Sequence, residues 1–392
     1  MDIIYLLIQN TYISMTVLLI VALGGLLSER SGVTNIALEG IMILGAFIGV
    51  WAIHGLEIFP YSLMTRFVVL IVMIALVAPI LYLVNLLLQK FDVKHYGLAK
   101  LNLGKQEKFI FQSINFLIII VVAVILQQML IKDALPKQII LVMGIMIGGI
   151  IGGLYAMLHA YASIHMKADQ IISATALNLF APAFAIFTAR FIQRGQQIPF
   201  SSSFMIRKVP ILGDIPVIGE LFFTRVFLSF YIGLALLFLI WVIVYKTKFG
   251  LRLRACGENP HAADSLGINI YKLRFKAVTL SGIFAGMGGV IFVISTSTEF
   301  NVTVAGFGFL AISVLIFGNW RPSGILFAAI FFGFMKTLAA SYTTIPILDN
   351  LSLQKEYYEL IPYVATLIIL SFFSKNSLAP KALGQVYDQG KR

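Results

Sequence analysis

The densest concentration of groups able to do chemistry is the run Ser28, Glu29, Arg30, Ser31, Gly32, Val33, Thr34 and Asn35, followed by Glu39 and Gly40. Apolar sequence borders it on both sides. Ionisable groups in such surroundings are costly unless they pair with one another or line a water-filled path. For Glu29 beside Arg30 two readings are open, an ion-paired helix end or part of a path. Glu39 stands four residues after Asn35 on the same helical face, and Ile41 to Val50 follow it without a charge, so it is not a solvated surface group. Asp169 and Gln170 open a later apolar stretch that contains Asn178. Asn178 either hydrogen-bonds a neighbouring helix or faces a solute. Together these groups suit a hydroxyl-rich or heteroaromatic solute and identify none.

Enzymatic patterns are missing. A phosphate-cradling G-x-x-x-x-G-K ending at Gly104-Lys105 needs glycine where Ala99 stands, and Gly97 is too distant. His54, His95, His159, His165 and His261 are scattered, with no pair at metal-ligand spacing, and Cys256 is the only cysteine. His159 and His165 read as ordinary interfacial histidines. No G-x-S-x-G frame for a nucleophilic serine occurs. The expectation is a chain without an enzyme site, a metal or a cofactor of its own.

One short soluble-facing helix stands out. Asn259 followed by Pro260 is a cap followed by the residue best tolerated at the first helical position, and Gly267 supplies a left-handed stop. Residues 260–266 therefore read as about two helical turns, too short to be stable alone. The helix is either a capped connector on the bilayer surface or a peg that docks in a cytoplasmic partner.

The elements that must position these groups are membrane helices. Of 392 residues 59% are apolar and 12% charged, and mean hydropathy is +0.94, which excludes a soluble, a disordered or a disulfide-stapled protein. The apolar runs are long and continuous, so they are helices and not barrel strands. About eleven spans are expected, at 5–27, 36–53, 66–88, 109–131, 138–160, 170–192, 226–246, 275–296, 304–319, 322–341 and 358–374. The fold class is all-α, a polytopic membrane protein forming a single domain over 1–392. The net charge of +12 reads as topology, not as nucleic-acid binding. Loop 247–275 and its flanks carry Lys246, Lys248, Arg252, Arg254, Lys272, Arg274 and Lys276 against Glu258 and Asp264, so this loop is expected to be cytoplasmic. Alternation then places the basic segment 89–108 and the C-terminal tail inside, and the connection 193–225 and the N-terminus outside. The run 28–35 is alternatively a break inside the membrane. Glycines at 144, 148, 149, 152 and 153, and at 282, 286, 288 and 289, let helix backbones approach closely, for tight association or for a sliding hinge.

Five ordered stretches carry a resemblance. GGLLSERSGVTNIALEGIMILGAF (24–47), HMKADQIISATALNL (165–179), GLRLRACGENPHAADSLGINIYKL (250–273), GFGFLAISVLIFGNWRPSG (306–324) and the ending from Ile361 are similar to bacterial ABC-importer permeases of the branched-chain amino acid and ribose class. The version they resemble is the second permease of the lipoprotein-linked nucleoside importers. The resemblance implies a type II importer permease in the bacterial cytoplasmic membrane, paired with a second permease subunit. It also implies cytoplasmic ABC ATPases that hold ATP and magnesium, an extracellular substrate-binding lipoprotein and a nucleoside substrate. It assigns coupling to the ATPase to Gly257, Glu258, Asn259, Pro260, Ala262 and Ala263. The translocation path is expected at Glu29, Asn35, Glu39, Asn178, Ser313 and Asn319. A sugar or branched-chain amino acid on the same machine, and an ion-coupled carrier, are the competing readings. The chain departs from the usual family pattern at 55–137, which reads as an inserted transmembrane hairpin enclosing 89–108.

Overall fold

The computed structural model of the protein describes residues 2–58, 136–201, 203–345, 354–365, 367 and 378–390. The chain divides into two compact units, Met1–Ala52 with Gly144–Arg392, and Ile53–Met143. The spans expected at 66–88 and 109–131, the basic segment 89–108 and the end of 358–374 lie outside the described residues.

The apolar runs fold as helices: α1 (Asp2–Arg30), α2 (Leu38–Ile58), α3 (Lys137–Ala160, continued by a π-turn at Tyr161–His165) and α4 (Gln170–Gln193). After a structured connection containing α5 (Ile218–Phe222) come α6 (Leu228–Lys246), α7 (Lys248–Glu258) and α8 (Pro260–Ser265). Then follow α9 (Ile270–Thr296), α10 (Phe307–Phe317), α11 (Pro322–Ala340) and α12 (Lys355–Glu359). Seven described helices are long and apolar enough to cross a membrane: α1, α2, α3 with its π-turn, α4, α6, α9 and α11. Polar caps fix where two of them start. Asn269 accepts from the Lys272 N–H at 2.9 Å and starts α9 five residues before the apolar run at 275. Asp169 accepts from the N–H groups of Ile171 and Ile172 and starts α4.

The expected span 304–319 is different. Helix α10 has 11 residues, a rise of about 16 Å, roughly half of what a crossing needs. Its limits are set by backbone conformation, because Ala305 and Gly306 are left-handed before it (φ 51° and 74°) and Asn319 and Trp320 are left-handed after it (φ 51° and 52°).

Helix α1 is the centre of the larger unit. Its stretch from Val17 to Leu23 is at most 1% exposed, enclosed by α6, α9, α10 and α11. A helix with no polar face is buried on all sides, and α1 has none over that length. By contrast α4 and α6 present Leu179, Phe187, Phe191 and Phe238 outward, as helices bordering hydrocarbon do. The connection 193–225 is ordered by two strand pairs. Strand β1 (Ile198–Pro199) runs antiparallel to β4 (Glu299–Phe300), and β2 (Met205–Lys208) runs antiparallel to β3 (Thr224–Phe227). An ion pair joins Lys208 to Asp214.

Helices α2, α3 and α9 meet through glycine at backbone distance. A β-carbon on Gly45 would sit 2.5 Å from the Gly286 Cα and 2.9 Å from the Gly148 carbonyl oxygen, and one on Gly152 would sit 2.8 Å from the Gly286 Cα. On the other side of α9, a β-carbon on Gly24 of α1 would meet the Phe284 Cβ at 2.7 Å. The neighbours here are backbone atoms that cannot rotate away. Gly286→Val is therefore expected to destabilise the fold by about 1–3 kcal/mol or more. Gly55→Ala, where a β-carbon meets nothing within 4 Å, is the neutral control. Thermal midpoints of the two purified variants in detergent check the contrast.

Candidate functional site

Helix α1 ends at Arg30 and α2 begins only at Leu38, so residues 31–37 form a break of non-helical backbone. This break runs along α9 rather than out into solvent. The Asn35 side-chain amide donates to Ser281 Oγ at 3.1 Å, and Ser281 lies 11 residues beyond Ile270, about 16 Å along α9. Helix α2 therefore starts part-way along the bundle. Backbone groups at such a depth need protein partners, because water is not available to satisfy them. They are provided one by one. Gln170 Oε1 accepts from the Thr34 N–H at 2.7 Å, and Asn35 Oδ1 accepts from the Ala37 N–H at 3.2 Å. Asn178 reaches across from α4, its Oδ1 accepting from the Gly40 N–H at 2.7 Å and its amide donating to the Ile36 carbonyl at 3.0 Å. The His159 ring is fully buried, with Nε2 3.2 Å from the Thr34 carbonyl and Nδ1 3.1 Å from Ser173 Oγ. A carbonyl only accepts, so Nε2 carries the proton and Nδ1 accepts from the serine. The expectation of an interfacial His159 is thereby corrected: it is a buried pin of the break.

Glu39, in the first turn of α2, joins the break to α10. Its carboxylate oxygens accept from the N–H groups of Gly306 at 3.0 Å and Gly308 at 2.7 Å, at the N-terminus of α10. Helix α10 also starts at depth, so Glu39 satisfies donors that have no intrahelical partner and sits at the positive end of the helix dipole. At the other end of α10, Glu29 is 4% exposed and accepts from the Trp320 indole N–H at 2.5 Å. The Arg30 guanidinium donates to the Trp320 carbonyl at 2.8 Å and 3.2 Å. The expected pairing of Glu29 with Arg30 is not what forms: each is bonded to Trp320. These bonds hold the two consecutive left-handed residues, and Asn319 Oδ1 accepts from the Leu378 N–H at 2.6 Å. Ser313 lies half-buried in the middle of α10. Asn35, Glu39 and Asn178 are thus brought together where the break meets the start of α10, Glu29 and Asn319 lie by its other end about 16 Å away, and Ser313 lies between the two ends.

The short helix α8 has the caps its sequence requires. Asn259 Oδ1 accepts from the Ala262 N–H at 3.0 Å, Pro260 occupies the first turn, and Gly267 has φ +78°. Pro260 and Ala263 face the protein and are buried, while Glu258, Asn259, Ala262 and Leu266 face outward, Leu266 being 81% exposed. Gly257 is packed against the Arg30 carbonyl, where any side chain would collide. The Cys256 thiol lies 3.3 Å from the Ser31 carbonyl. Helix α8 is therefore attached, through the end of α7, to the first residues of the break. Burial pushes the Cys256 thiol above its ordinary pKa, partly offset by the neighbouring Arg274 guanidinium.

Trp320, His159, Gln170 and Arg274 hold this region together, and their roles were not expected. Gln170 was read only as opening a span with Asp169, His159 only as an interfacial histidine, and Arg274 only as one of seven basic residues read together as loop charge. Among the described residues, no group of three or more His, Cys, Asp or Glu is placed to hold a metal ion.

Residues 98–370 match the family described as branched-chain amino acid transport system, permease component. The chain is 32% identical to the nucleoside ABC transporter permease protein NupC of Lactococcus lactis subsp. cremoris (strain MG1363), over 98% of each chain. It is also 32% identical to the guanosine ABC transporter permease protein NupQ of Bacillus subtilis (strain 168), over 100% of each. A second Lactococcus lactis protein, nucleoside ABC transporter permease protein NupB, is 32% identical over 29% of this chain and 31% of its own. No solved structure matches the chain. The chain belongs to this family of ABC-transporter permease components, and the break, the half-length helix and α8 are parts of a membrane permease.

Two outcomes follow from this geometry. Glu39→Ala strands the N–H groups of Gly306 and Gly308 and is expected to lower stability by about 1–3 kcal/mol, with Glu39→Gln less damaging because one oxygen still accepts. Thermal unfolding in detergent reads both. Cys256, the only thiol, is expected to react with a maleimide far more slowly at pH 7 than after denaturation. Its raised pKa keeps the neutral thiol dominant there, so labelling should speed up only as pH rises further.

Proposed function

We propose that this chain is one of two non-identical permease subunits of an ATP-driven importer that carries a nucleoside across the bacterial cytoplasmic membrane. The observation that carries this reading is similarity along the whole chain to two permeases named for nucleoside and guanosine transport. Similarity to NupB over less than a third of the chain supports a partner permease that is related but different. Seven long apolar helices, the further apolar runs at 66–88, 109–131 and 358–374 in the sequence, and the half-length α10 together support about eleven apolar segments. On this reading 55–137 is an inserted hairpin, loop 247–275 and the C-terminus are cytoplasmic, and 193–225 is the external surface that meets the substrate-binding lipoprotein.

Helix α8, with Gly257, Glu258, Asn259, Pro260, Ala262 and Ala263, receives motion from the ATPase. Closure of the ATPases on ATP pushes its exposed face, and the contact of Gly257 with the Arg30 carbonyl passes the displacement to the α1–α2 break. The break and α10 share Glu39, so both ends of the site shift together and access alternates as a rigid-body change. The solute passes along Glu29, Asn35, Glu39, Asn178, Ser313 and Asn319, where Asn35, Glu39, Asn178 and Asn319, already bonded to backbone, switch partners between states. Differential contacts of that kind are what couple the solute to the motion.

Ala262 is outward-facing and touches no core, so Ala262→Trp leaves the fold intact and obstructs the partner's groove. Guanosine uptake by cells carrying this variant should be abolished while the protein reaches the membrane at wild-type level. Normal uptake would count against α8 as the coupling helix, and uptake displaced by ribose or leucine but not by guanosine would count against the nucleoside.

A further inference from the structure

Residues 378–390 and Arg274 are given no role in the function just described, yet they join α8, the break and the start of α9. The Ala382 N–H donates to the Gly257 carbonyl at 2.9 Å, and the Gly384 N–H donates to the Gly32 carbonyl at 3.0 Å. Tyr387 is buried, its ring 5.1 Å from the ring of His261 in α8 and 5.4 Å from that of Tyr271 in α9. The Gln389 amide donates to Asp264 of α8 at 3.3 Å, and Asp388 pairs with Lys167 at 2.9 Å, just after the π-turn. The segment is thus in contact with α8, with the break and with the start of α9.

Arg274 is the crossing point. It is 3% exposed and pairs with no carboxylate among the described residues. A buried guanidinium is costly unless its donors are satisfied; here backbone carbonyls satisfy Nε and Nη1, while Nη2 has no hydrogen-bond partner among the described residues. Nε donates to the Ser31 carbonyl at 3.1 Å and Nη1 to the Gln385 carbonyl at 3.0 Å, with the guanidinium 6.0 Å over the Tyr387 ring. The guanidinium plane is rigid, so the break and the tail are held at a fixed spacing. Between α8 and the tail is a polar recess of about 250 Å³ lined by Glu258, His261, Lys381, Gln385 and Tyr387 among others.

We propose that residues 378–390 and α8 form a two-sided receiving surface for a polar projection of the ATPase partner, with Tyr387 and Arg274 as positioning residues that carry the displacement of α8 to the α1–α2 break. This rests on the reading of α8 as the coupling helix. On it, the partner engages the tail as well as the peg. The recess supplies acid, base and imidazole groups to the projection, while exposed Leu266, at the other end of α8, supplies an apolar contact.

The test uses the whole importer in proteoliposomes, with labelled guanosine as the probe and uptake measured per ATP hydrolysed. Tyr387→Ala is expected to lower that ratio about fivefold or more, with Tyr387→Phe restoring it because the ring is kept. Lys167→Asp sets two acids together and should lower the ratio, and adding Asp388→Lys should restore it. Faster maleimide labelling of Cys256 in Tyr387→Ala than in the wild type reports the loosened tail independently of transport. An unchanged ratio in Tyr387→Ala while Ala262→Trp abolishes uptake overturns the proposal and leaves the coupling helix standing. Should Tyr387→Ala not reach the membrane, failure of the charge exchange to restore the ratio overturns it. Uptake unaffected by Ala262→Trp overturns the coupling helix itself.

Discussion

A helix that starts part-way through an apolar bundle exposes its first N–H groups where no water can reach them. This protein has two such starts, α2 and α10, and a set of polar side chains in its larger unit serves them. Asn35, Asn178 and Gln170 serve the approach to α2, and Glu39 of α2 serves α10. The second start is thus satisfied by a residue of the first. Neither can be re-aimed without unsettling the other, which makes the pair a single mechanical element rather than two adjacent irregularities.

That element is connected to the soluble face by short links. Gly257 presses on the carbonyl of Arg30, Cys256 and Arg274 meet the carbonyl of Ser31, and Trp320 is held by both Glu29 and Arg30. All of these involve the last residues of α1 or the first of the break. Over Val17–Leu23 helix α1 is apolar and fully enclosed, and its bonds to Trp320 are all made at its C-terminal end.

Much of the fold was legible in the sequence because apolar length is a direct physical signal. The long helices fall close to their hydropathy limits, and Asn259, Pro260 and Gly267 defined α8 to within a residue. Helix α10 was misread as a span because hydropathy registers how apolar a run is, not that Ala305 and Gly306 turn left-handed before it. The gathering of Glu29, Asn35 and Glu39 was visible as a dense polar run, but their partners were not. Trp320 lies 291 residues from Glu29 and Arg274 lies 243 from Ser31, and no local pattern links positions so far apart. Arg274 was hidden among basic neighbours because composition counts a charge the same whether it is solvated or buried.

The glycine contacts among α2, α3 and α9 constrain what this protein can do when it changes state. Where two helices touch through side chains, rotamers can exchange and the helices can slip. Where carbonyl oxygens and α-carbons touch directly, there is nothing to exchange. These three helices are then held as one solid block, and α10 is held to it in the same way, because a β-carbon on Gly308 would sit 2.5 Å from the Glu39 backbone and the Glu39 carboxylate binds the start of α10.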